Sequence, residues 1–298
     1  MNLALIVLVD GISYAGWLFL VGIGLTLVFG VLRLLNIAHG GFYAIGAYVA
    51  AYAIGVCASN GFGTAPQLLF AFAGAAIVGG LLGLLVERTI LVRLYDHPEV
   101  LTLFATYALF LILEDVTKLV FGGQSLYAFQ PRNAFGTVAI GTLNYPVYDV
   151  LTVVVAILVA AGTWYVLNRT RTGRCVTAVV HDREMSASMG VNVAAIMTGT
   201  FIVGSMLGAF AGAVTAPKIA VNPGIGVEVI VLAFAVIVIG GLGSIGGAVV
   251  GALVVGLARA AATHLAPDLA VFSVYAVMAI VLAIRPYGLF ARPMARKI

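Results

Sequence analysis

A stretch without a single Asp, Glu, Lys or Arg runs from Leu34 to Val86: LLNIAHGGFYAIGAYVAAYAIGVCASNGFGTAPQLLFAFAGAAIVGGLLGLLV. Crossing about 30 Å of hydrocarbon takes roughly 20 residues as helix, so the stretch is long enough for two crossings of a membrane. Its polar and apolar residues do not alternate as they do in the strands of a membrane barrel. Because only helices and closed barrels satisfy the backbone in lipid, the stretch predicts transmembrane helices.

The rest of the chain has the same character. Of its 298 residues, 63% are hydrophobic and 9% are charged, whereas an average soluble domain is about 45–50% apolar and about 25% charged. This composition excludes an ordinary soluble enzyme. With only 15 basic and 11 acidic residues, it also excludes a disordered chain or a nucleic-acid-binding protein.

We therefore predict an all-α fold, a single transmembrane domain over residues 1–298. It is a polytopic membrane helix bundle of about 8–9 transmembrane helices with broken or re-entrant segments. The predicted helices lie near residues 11–33, 41–57, 66–86, 100–121, 149–168, 193–214, 228–242, 247–264 and 269–284. Since 228–242 is short for a crossing, eight spans plus a re-entrant element is the alternative.

The basic residues predict the orientation of the bundle. They cluster in three places: Arg88 and Arg93; Arg169, Arg171, Arg174 and Arg183; and Arg285, Arg292, Arg296 and Lys297, with Arg33 as a further member. By the positive-inside rule these positions mark the cytoplasmic side, which puts the N-terminus outside and the C-terminus in the cytoplasm. The polar segment 122–149 is then an outer loop, and 217–226 is a second one.

Two glycine-rich interruptions lie within apolar sequence. Glycines and polar side chains in such a place predict a broken helix, whose free backbone groups must face protein or a water-filled cavity. Paired interruptions in two halves of a transporter indicate its permeation path. The alternative for each is a tight turn between two spans. The candidate pathway residues are Asn36, His39, Gly40 and Gly41 in the first interruption and Gly240, Gly241, Gly243, Ser244 and Gly246 in the second.

The longest polar stretch on the predicted cytoplasmic side runs from Arg169 to Asn192. Its apolar residues have the spacing of a short amphipathic helix that ends at Gly190. Such a helix either lies on the bilayer surface or docks in a groove of a cytosolic protein.

The sequence contains no motif by which this chain could itself supply the energy for transport. None of its three lysines follows a glycine, as a phosphate-binding loop requires. Carboxylates for ion coupling are also scarce, since Glu114 and Asp115 are spaced to pair with Lys118 near a helix end. We expect neither catalytic residues, nor a metal site, nor a cofactor in this chain.

Several blocks resemble the permeases of high-affinity branched-chain amino acid ABC importers, in the family's order and from end to end. They are Gly24-Leu25-Thr26-Leu27-Val28-Phe29-Gly30, Leu35-Asn36-Ile37-Ala38-His39-Gly40, Ile45-Gly46-Ala47-Tyr48, Gly173-Arg174, Asp182-Arg183-Glu184, Met189-Gly190-Val191-Asn192, Asn222-Pro223, the run from Ile239 to Ala248, Arg285-Pro286 and Gly288-Leu289.

This resemblance implies a non-catalytic subunit of an importer in the bacterial inner membrane. It implies three kinds of partner besides the lipid bilayer: a second homologous permease, two cytosolic ATPases and an extracytoplasmic solute-binding protein. It implies no nucleic acid. The segment of about 174–192 would be the coupling helix in an ATPase groove, and transport would follow alternating access. The candidate coupling residues are Arg174, His181, Asp182, Arg183, Glu184, Met189 and Gly190.

The resemblance names branched-chain amino acids as the first substrate expectation. Other family members carry urea, short amides or aromatic acids, and this chain departs from many relatives with Gly41 and Leu232. Two hypotheses of another class also stand. A passive channel or ion-coupled carrier leaves segment 174–192 unexplained, and a scaffold that transports nothing leaves the helix interruptions unexplained.

Overall fold

The computed structural model describes residues 3–95, 97–140 and 143–290. Twelve helices and one hairpin make up this part of the chain: α1 (Leu3–Leu32), α2 (His39–Ser59), α3 (Thr64–Thr89), α4 (Glu99–Phe121), α5 (Gln130–Ala134), β1 (Thr137–Ile140), β2 (Leu143–Pro146), α6 (Val147–Arg169), α7 (Arg171–His181), α8 (Arg183–Ser188), α9 (Val193–Thr215), α10 (Ile225–Gly240), α11 (Ile245–Leu265) and α12 (Ala270–Ile284). The predicted all-α membrane bundle is confirmed.

The number of crossings matches the alternative of eight spans and one shorter element. Within the described ranges, eight helices are long and apolar enough to cross a membrane. The last of these spans, Pro267–Ile284, has 18 residues because a 3₁₀ turn, Pro267–Leu269, leads directly into α12. The ninth apolar helix, α10, has 16 residues, fewer than the roughly 20 that a full crossing takes. The sequence therefore located all nine apolar helices and identified the short one.

Helix α1 forms the centre of the bundle. Every residue from Leu18 to Val28 is buried, because α6, α9, α10 and α11 pack around this helix. Lipid is as apolar as these side chains, so close packing rather than a hydrophobic driving force holds such helices together.

Small residues provide that close packing. On α9, Gly204, Gly208 and Gly212 repeat at every fourth position, and each contacts a neighbouring helix. A Cβ at Gly204 would overlap Val28 of α1, and one at Gly212 would overlap the backbone of α2 at Tyr43. The glycines therefore let α1 and α2 approach α9 to backbone contact.

The two ends of the bundle differ in their connections. At one end, which we call the basic end, Arg33 after α1 donates to the Val180 carbonyl of α7 over 3.1 Å. The N–H groups of Leu289 and Phe290 donate to the carbonyls that end α10, over 2.9 and 3.0 Å. The predicted basic positions Arg292, Arg296 and Lys297 lie outside the described residues.

At the opposite end, which we call the far end, the connections of the chain also pair with one another. His264 lies 2.7 Å from the Asp10 carboxylate, so α11 ends where α1 is beginning. Leu126 and Val221 exchange two backbone hydrogen bonds of 2.9 Å and so join the two predicted outer loops. Leu3 and Phe290 consequently lie at opposite ends of the bundle.

The far-end segment 122–149 is more ordered than the predicted loop. It contains α5 and an antiparallel hairpin in which Val138 pairs with Tyr145 and Thr137 with Pro146. The predicted outer loop did not include these elements, because strands of four residues are too short to show an alternating pattern. Asp149 closes the segment by pairing with Lys218 at 2.8 Å and with Arg132 at 3.3 Å.

Candidate functional site

The first predicted interruption is a break between α1 and α2. Helix α1 ends at Leu32, and Arg33 takes a left-handed φ of 56°, which costs a residue other than glycine roughly 1–2 kcal/mol. The chain then runs without helix until His39 begins α2. Thr106 of α4 holds this segment, since its hydroxyl lies 3.3 Å from both the Ile37 N–H and the Leu35 carbonyl.

His39 turns from the start of α2 into the middle of the bundle. Its Nε2 lies 3.1 Å from the carbonyl oxygen of Val21, halfway along α1. The imidazole fills the space left by two glycines, because a Cβ at Gly24 or Gly208 would come within 2.8 or 2.7 Å of its Cε1. A carbonyl can only accept, so Nε2 carries a proton and donates it.

Buried polar atoms remain unused at this break. Asn36 and His39 are each only 1% exposed. Within the part of the chain that the structure describes, the Asn36 amide oxygen and nitrogen and the His39 Nδ1 have no hydrogen-bond partner. Each such atom costs about 1–3 kcal/mol, so three of them together indicate a place for water or a polar solute.

The next two predicted residues bring the starts of two helices together. A Cβ at Gly40 would overlap the Gly226 carbonyl of α10, and one at Gly41 would lie 2.9 Å from the Leu113 side chain of α4. Sequence reasoning had not joined α4 to this site. The structure therefore groups Asn36, His39, Gly40 and Gly41 where α2, α4 and α10 meet.

The second predicted interruption is a turn between α10 and α11 at the basic end. Gly241 and Gly243 have φ of 102° and 79°, the left-handed region that glycine tolerates best. Ser244 begins α11 as its N-cap, with its hydroxyl accepting from the Gly247 N–H over 3.1 Å. Gly240 packs against the backbone of Gly247, whereas Gly246 is exposed.

The two interruptions lie at different depths along α1. His39 reaches Val21 and Gly24, but Gly243 packs on Gly30, near the end of that helix. For the second interruption the observed geometry is that of the tight turn, which was the alternative. The structure does not group its residues with Asn36 and His39.

The predicted amphipathic helix consists of two helices at the basic end. Asp182 separates α7 from α8 with extended backbone, and its carboxylate accepts from the Met185 N–H over 2.9 Å. The prediction of one continuous helix was wrong at this point, because Asp182 acts as an N-cap. The predicted end is close, since α8 ends at Ser188 and Gly190 has a φ of 83°.

One face of this pair is exposed and mixed in character. Met185 and Met189 are 60% and 78% exposed, and Arg174, His181, Asp182 and Glu184 are exposed beside them. Exposed methionines among charged residues are typical of a surface that contacts a partner, because the flexible apolar side chain of methionine adapts to it. We call the exposed residues of α7, α8 and Met189 the coupling face.

Arg183 differs from the other candidate coupling residues. It is half-buried, and its guanidinium donates to the carbonyls of Leu32 and Val31 at the end of α1, over 3.1 and 3.4 Å. Together with the bond from Arg33 to Val180, this braces the coupling face against α1 from both sides. These three hydrogen bonds from arginine side chains to backbone carbonyls join the segment to the α1–α2 break.

A buried acid at the basic end was missed from the sequence. Glu87 of α3 is 1% exposed and accepts a hydrogen bond of 3.2 Å from the Tyr95 hydroxyl. Burial raises the pKa of Tyr95, and the nearby Glu87 raises it further. The phenol therefore stays protonated and keeps donating, which holds the end of α3 to the turn before α4.

A multi-pass helical bundle with a polar break at its centre, and an exposed helix pair at one end, belongs to the class of membrane transport proteins. Within the described residues no group of three or more His, Cys, Asp or Glu is placed to hold a metal ion. A family model described as branched-chain amino acid transport system / permease component matches residues 7–282. The chain belongs to this family.

Individual relatives match over nearly the whole length. The high-affinity branched-chain amino acid transport system permease protein BraD of Pseudomonas aeruginosa is 31% identical over 98% of this chain and 97% of its own. LivH of Escherichia coli K12, with the same description, is 26% identical over 97% and 96%. A probable branched-chain amino acid permease, LivH of Methanocaldococcus jannaschii, is 26% identical over 95% and 91%. No solved structure matches the chain.

Proposed function

We propose that this chain is one of two homologous permease subunits of an ATP-driven importer in the bacterial inner membrane. Its first substrate is a branched-chain amino acid, which is what the names of the relatives describe. The chain itself holds no cofactor and no catalytic residue. It provides the path, and partner subunits provide the energy.

The orientation follows from the charges. Arg33, Arg171 and Arg174 at the basic end support a cytoplasmic position for that end. The far end then faces outward, and a solute-binding protein docks there against the joined connections. One of two cytosolic ATPases binds the coupling face of this chain, and the other binds the second permease, which completes the path.

The observation that carries this proposal is the bracing by Arg33 and Arg183. Hydrogen bonds from a charged donor are worth about 1.5–3 kcal/mol each, so the coupling face and the end of α1 move together. A displacement imposed by an ATPase therefore reaches the break at Asn36 and His39 directly. As that break shifts, the path opens alternately to the two sides of the membrane. Ordering or disordering of a segment and sliding of packed helices are both known forms of such transitions.

The ATPase contact is tested by copurification. Glu184→Arg reverses a charge on the coupling face and Met189→Asp introduces one, so we expect the ATPase to be lost from the purified permease. Met189→Leu, which keeps the apolar contact, and Asp115→Arg at the exposed far end of α4 are the matched controls. All four variants are first shown to insert into the membrane.

Equal ATPase recovery with all four variants would remove the assignment of the coupling face. Recovery that falls for Met189→Asp but not for Met189→Leu supports it.

A further inference from the structure

Glu87, near the basic end of α3, has a carboxyl oxygen that nothing in this arrangement of the bundle uses. The residue is 1% exposed, and its Oε1 accepts the hydrogen bond from the Tyr95 hydroxyl. In the described part of the chain its Oε2 has no hydrogen-bond partner. An acceptor for Tyr95 needs only one oxygen, which the amide of a glutamine would also supply. The second oxygen therefore indicates a donor that reaches it in another arrangement.

A buried carboxylate calls for a cation, because burial is unfavourable for the charge unless an opposite charge or further hydrogen bonds compensate it. Among the described arginines of the basic end, all but one are exposed: Arg33, Arg88, Arg93, Arg169, Arg171, Arg174 and Arg285. The exception is Arg183, which is half-buried. It is therefore the cation best placed to meet a buried acid at this end.

Tyr95 connects Arg183 to this acid. The guanidinium of Arg183 donates to the Leu32 carbonyl, and Leu32 packs in one apolar cluster with Val86 and Tyr95. Val86 directly precedes Glu87. Burial raises the pKa of Tyr95 most and Glu87 raises it further, whereas the positive charge of Arg183 lowers it. The guanidinium and the carboxyl group thus both act on one phenol.

Arg183 also has donors that its present contacts leave free. A guanidinium has five N–H donors in a planar fork. Its bonds to the Val31 and Leu32 carbonyls both come from one nitrogen, Nη2, over 3.4 and 3.1 Å. The fork of an arginine matches the two oxygens of a carboxylate, and such charge-assisted bonds are stronger than bonds to a neutral carbonyl. Arg183 can therefore keep its hold on α1 and still bind a carboxylate.

We propose that Glu87 receives the free donors of Arg183 when an ATPase displaces the coupling face. This inference rests on the proposed importer function and deepens it by naming the residue that holds the displaced segment. The bracing carries the end of α1 along with α7 and α8, and the motion ends where Arg183 meets the Glu87 Oε2. Helix α3 is the fixed side of this contact, since it packs along α2 and α9. The ion pair then stabilises the displaced state relative to the one described above.

The test is the ratio of tritiated L-leucine transported to ATP hydrolysed, in proteoliposomes that carry the whole importer with ATP inside and the loaded binding protein outside. Glu87→Gln keeps the acceptor for Tyr95 and removes the charge. We expect the ratio to fall roughly tenfold, as the loss of one hydrogen bond between charged groups allows. Glu99→Gln, at the exposed start of α4 at the same end, is the matched control and stays within twofold of the wild type.

Tyr95→Phe separates this role from a merely structural one. It removes the bond that joins the turn to α3 but leaves the carboxylate for Arg183, so the ratio is expected to stay within twofold of the wild type. If Glu87 only held Tyr95, the order would be reversed, with Tyr95→Phe the more damaging variant and Glu87→Gln close to the wild type. That result would overturn the proposal.

A double variant shows whether Glu87 acts through Arg183. In Glu87→Gln combined with Arg183→Ala, the ratio is expected to equal that of Arg183→Ala alone, because the two residues form one contact. A further tenfold fall in the double variant would contradict this. If Glu87→Gln does not insert into the membrane, Glu87→Asp takes its place, since it keeps the charge but draws it back by one methylene. A ratio for Glu87→Asp equal to that of Glu99→Gln would then overturn the proposal.

The outcomes separate this proposal from the importer itself. If the wild type needs ATP for uptake and Glu87→Gln behaves like Glu99→Gln, the role of Glu87 is wrong and the importer stands. If the wild type takes up neither leucine nor labelled urea in an ATP-dependent way, the importer function fails and the role of Glu87 falls with it.

Discussion

Two glycines decide where His39 sits. Gly24 on α1 and Gly208 on α9 leave the space that the imidazole fills, and this brings Nε2 to the Val21 carbonyl. The position of the histidine therefore depends on residues with no side chain, which explains why the sequence could nominate His39 but could not say what it contacts.

Gly208→Ala tests this packing. The new Cβ would lie 2.7 Å from His39 Cε1, so the ring must leave its place, and overpacking of this kind costs about 1–3 kcal/mol. We expect a lower midpoint of unfolding in detergent, followed by circular dichroism.

Gly199→Ala is the control on the same helix, since a Cβ there meets nothing within 4 Å. Alanine is favoured over glycine in a helix by up to about 1 kcal/mol, so this variant is expected to be unchanged or more stable. A midpoint for Gly208→Ala as high as that of the control would contradict the observed packing.

Tyr48 marks the limit of prediction at the scale of single residues. It stands in α2 between Tyr43 and Tyr52, and the spacing of the three does not say which of them lines a pocket. Only the approach of α4 and α10 leaves the Tyr48 hydroxyl in a pocket while Tyr52 stays exposed. The same holds for Glu114 and Lys118, which the sequence identified as a pair but not as neighbours of Tyr48.

At the scale of elements, the length of the apolar stretches predicted the positions of the helices correctly. All nine apolar helices were located, because lipid allows few alternatives to a helix. The predictions missed features of the structure that depend on only a few residues. The hairpin of β1 and β2 consists of two four-residue strands, and the division between α7 and α8 depends on one N-cap carboxylate, that of Asp182.

Arg183→Ala tests the link between the coupling segment and α1. It removes the two bonds to the Val31 and Leu32 carbonyls and leaves the exposed coupling face intact. We expect the ATPases to bind as before while leucine transported per ATP hydrolysed falls roughly tenfold, as the loss of a charged hydrogen bond worth about 1.5–3 kcal/mol would allow.

Both rates are measured on the same proteoliposomes. Arg169→Ala, at the exposed end of α6 and outside the coupling face, removes a guanidinium of the same kind and serves as the control. An unchanged ratio of transport to hydrolysis in Arg183→Ala would show that the bracing carries no motion.

At the scale of the whole molecule, three features follow one another along the long axis of the bundle. The connections joined by Leu126 and Val221 lie at the far end, the break at Asn36 and His39 lies inside the bundle, and the coupling face lies at the basic end. Helix α1 connects them, since it starts at the far end and is braced to α7 and α8 where it ends. This order fits the proposed importer, in which the energy is supplied at the basic end.

The most direct measurement is therefore leucine uptake by proteoliposomes that contain both permeases and the ATPases, with the binding protein outside. The proposed function predicts uptake when ATP is enclosed, and none when ATP is omitted or replaced by a non-hydrolysable analogue. Leucine or urea that enters at the same rate without ATP would contradict it and identify a passive channel instead.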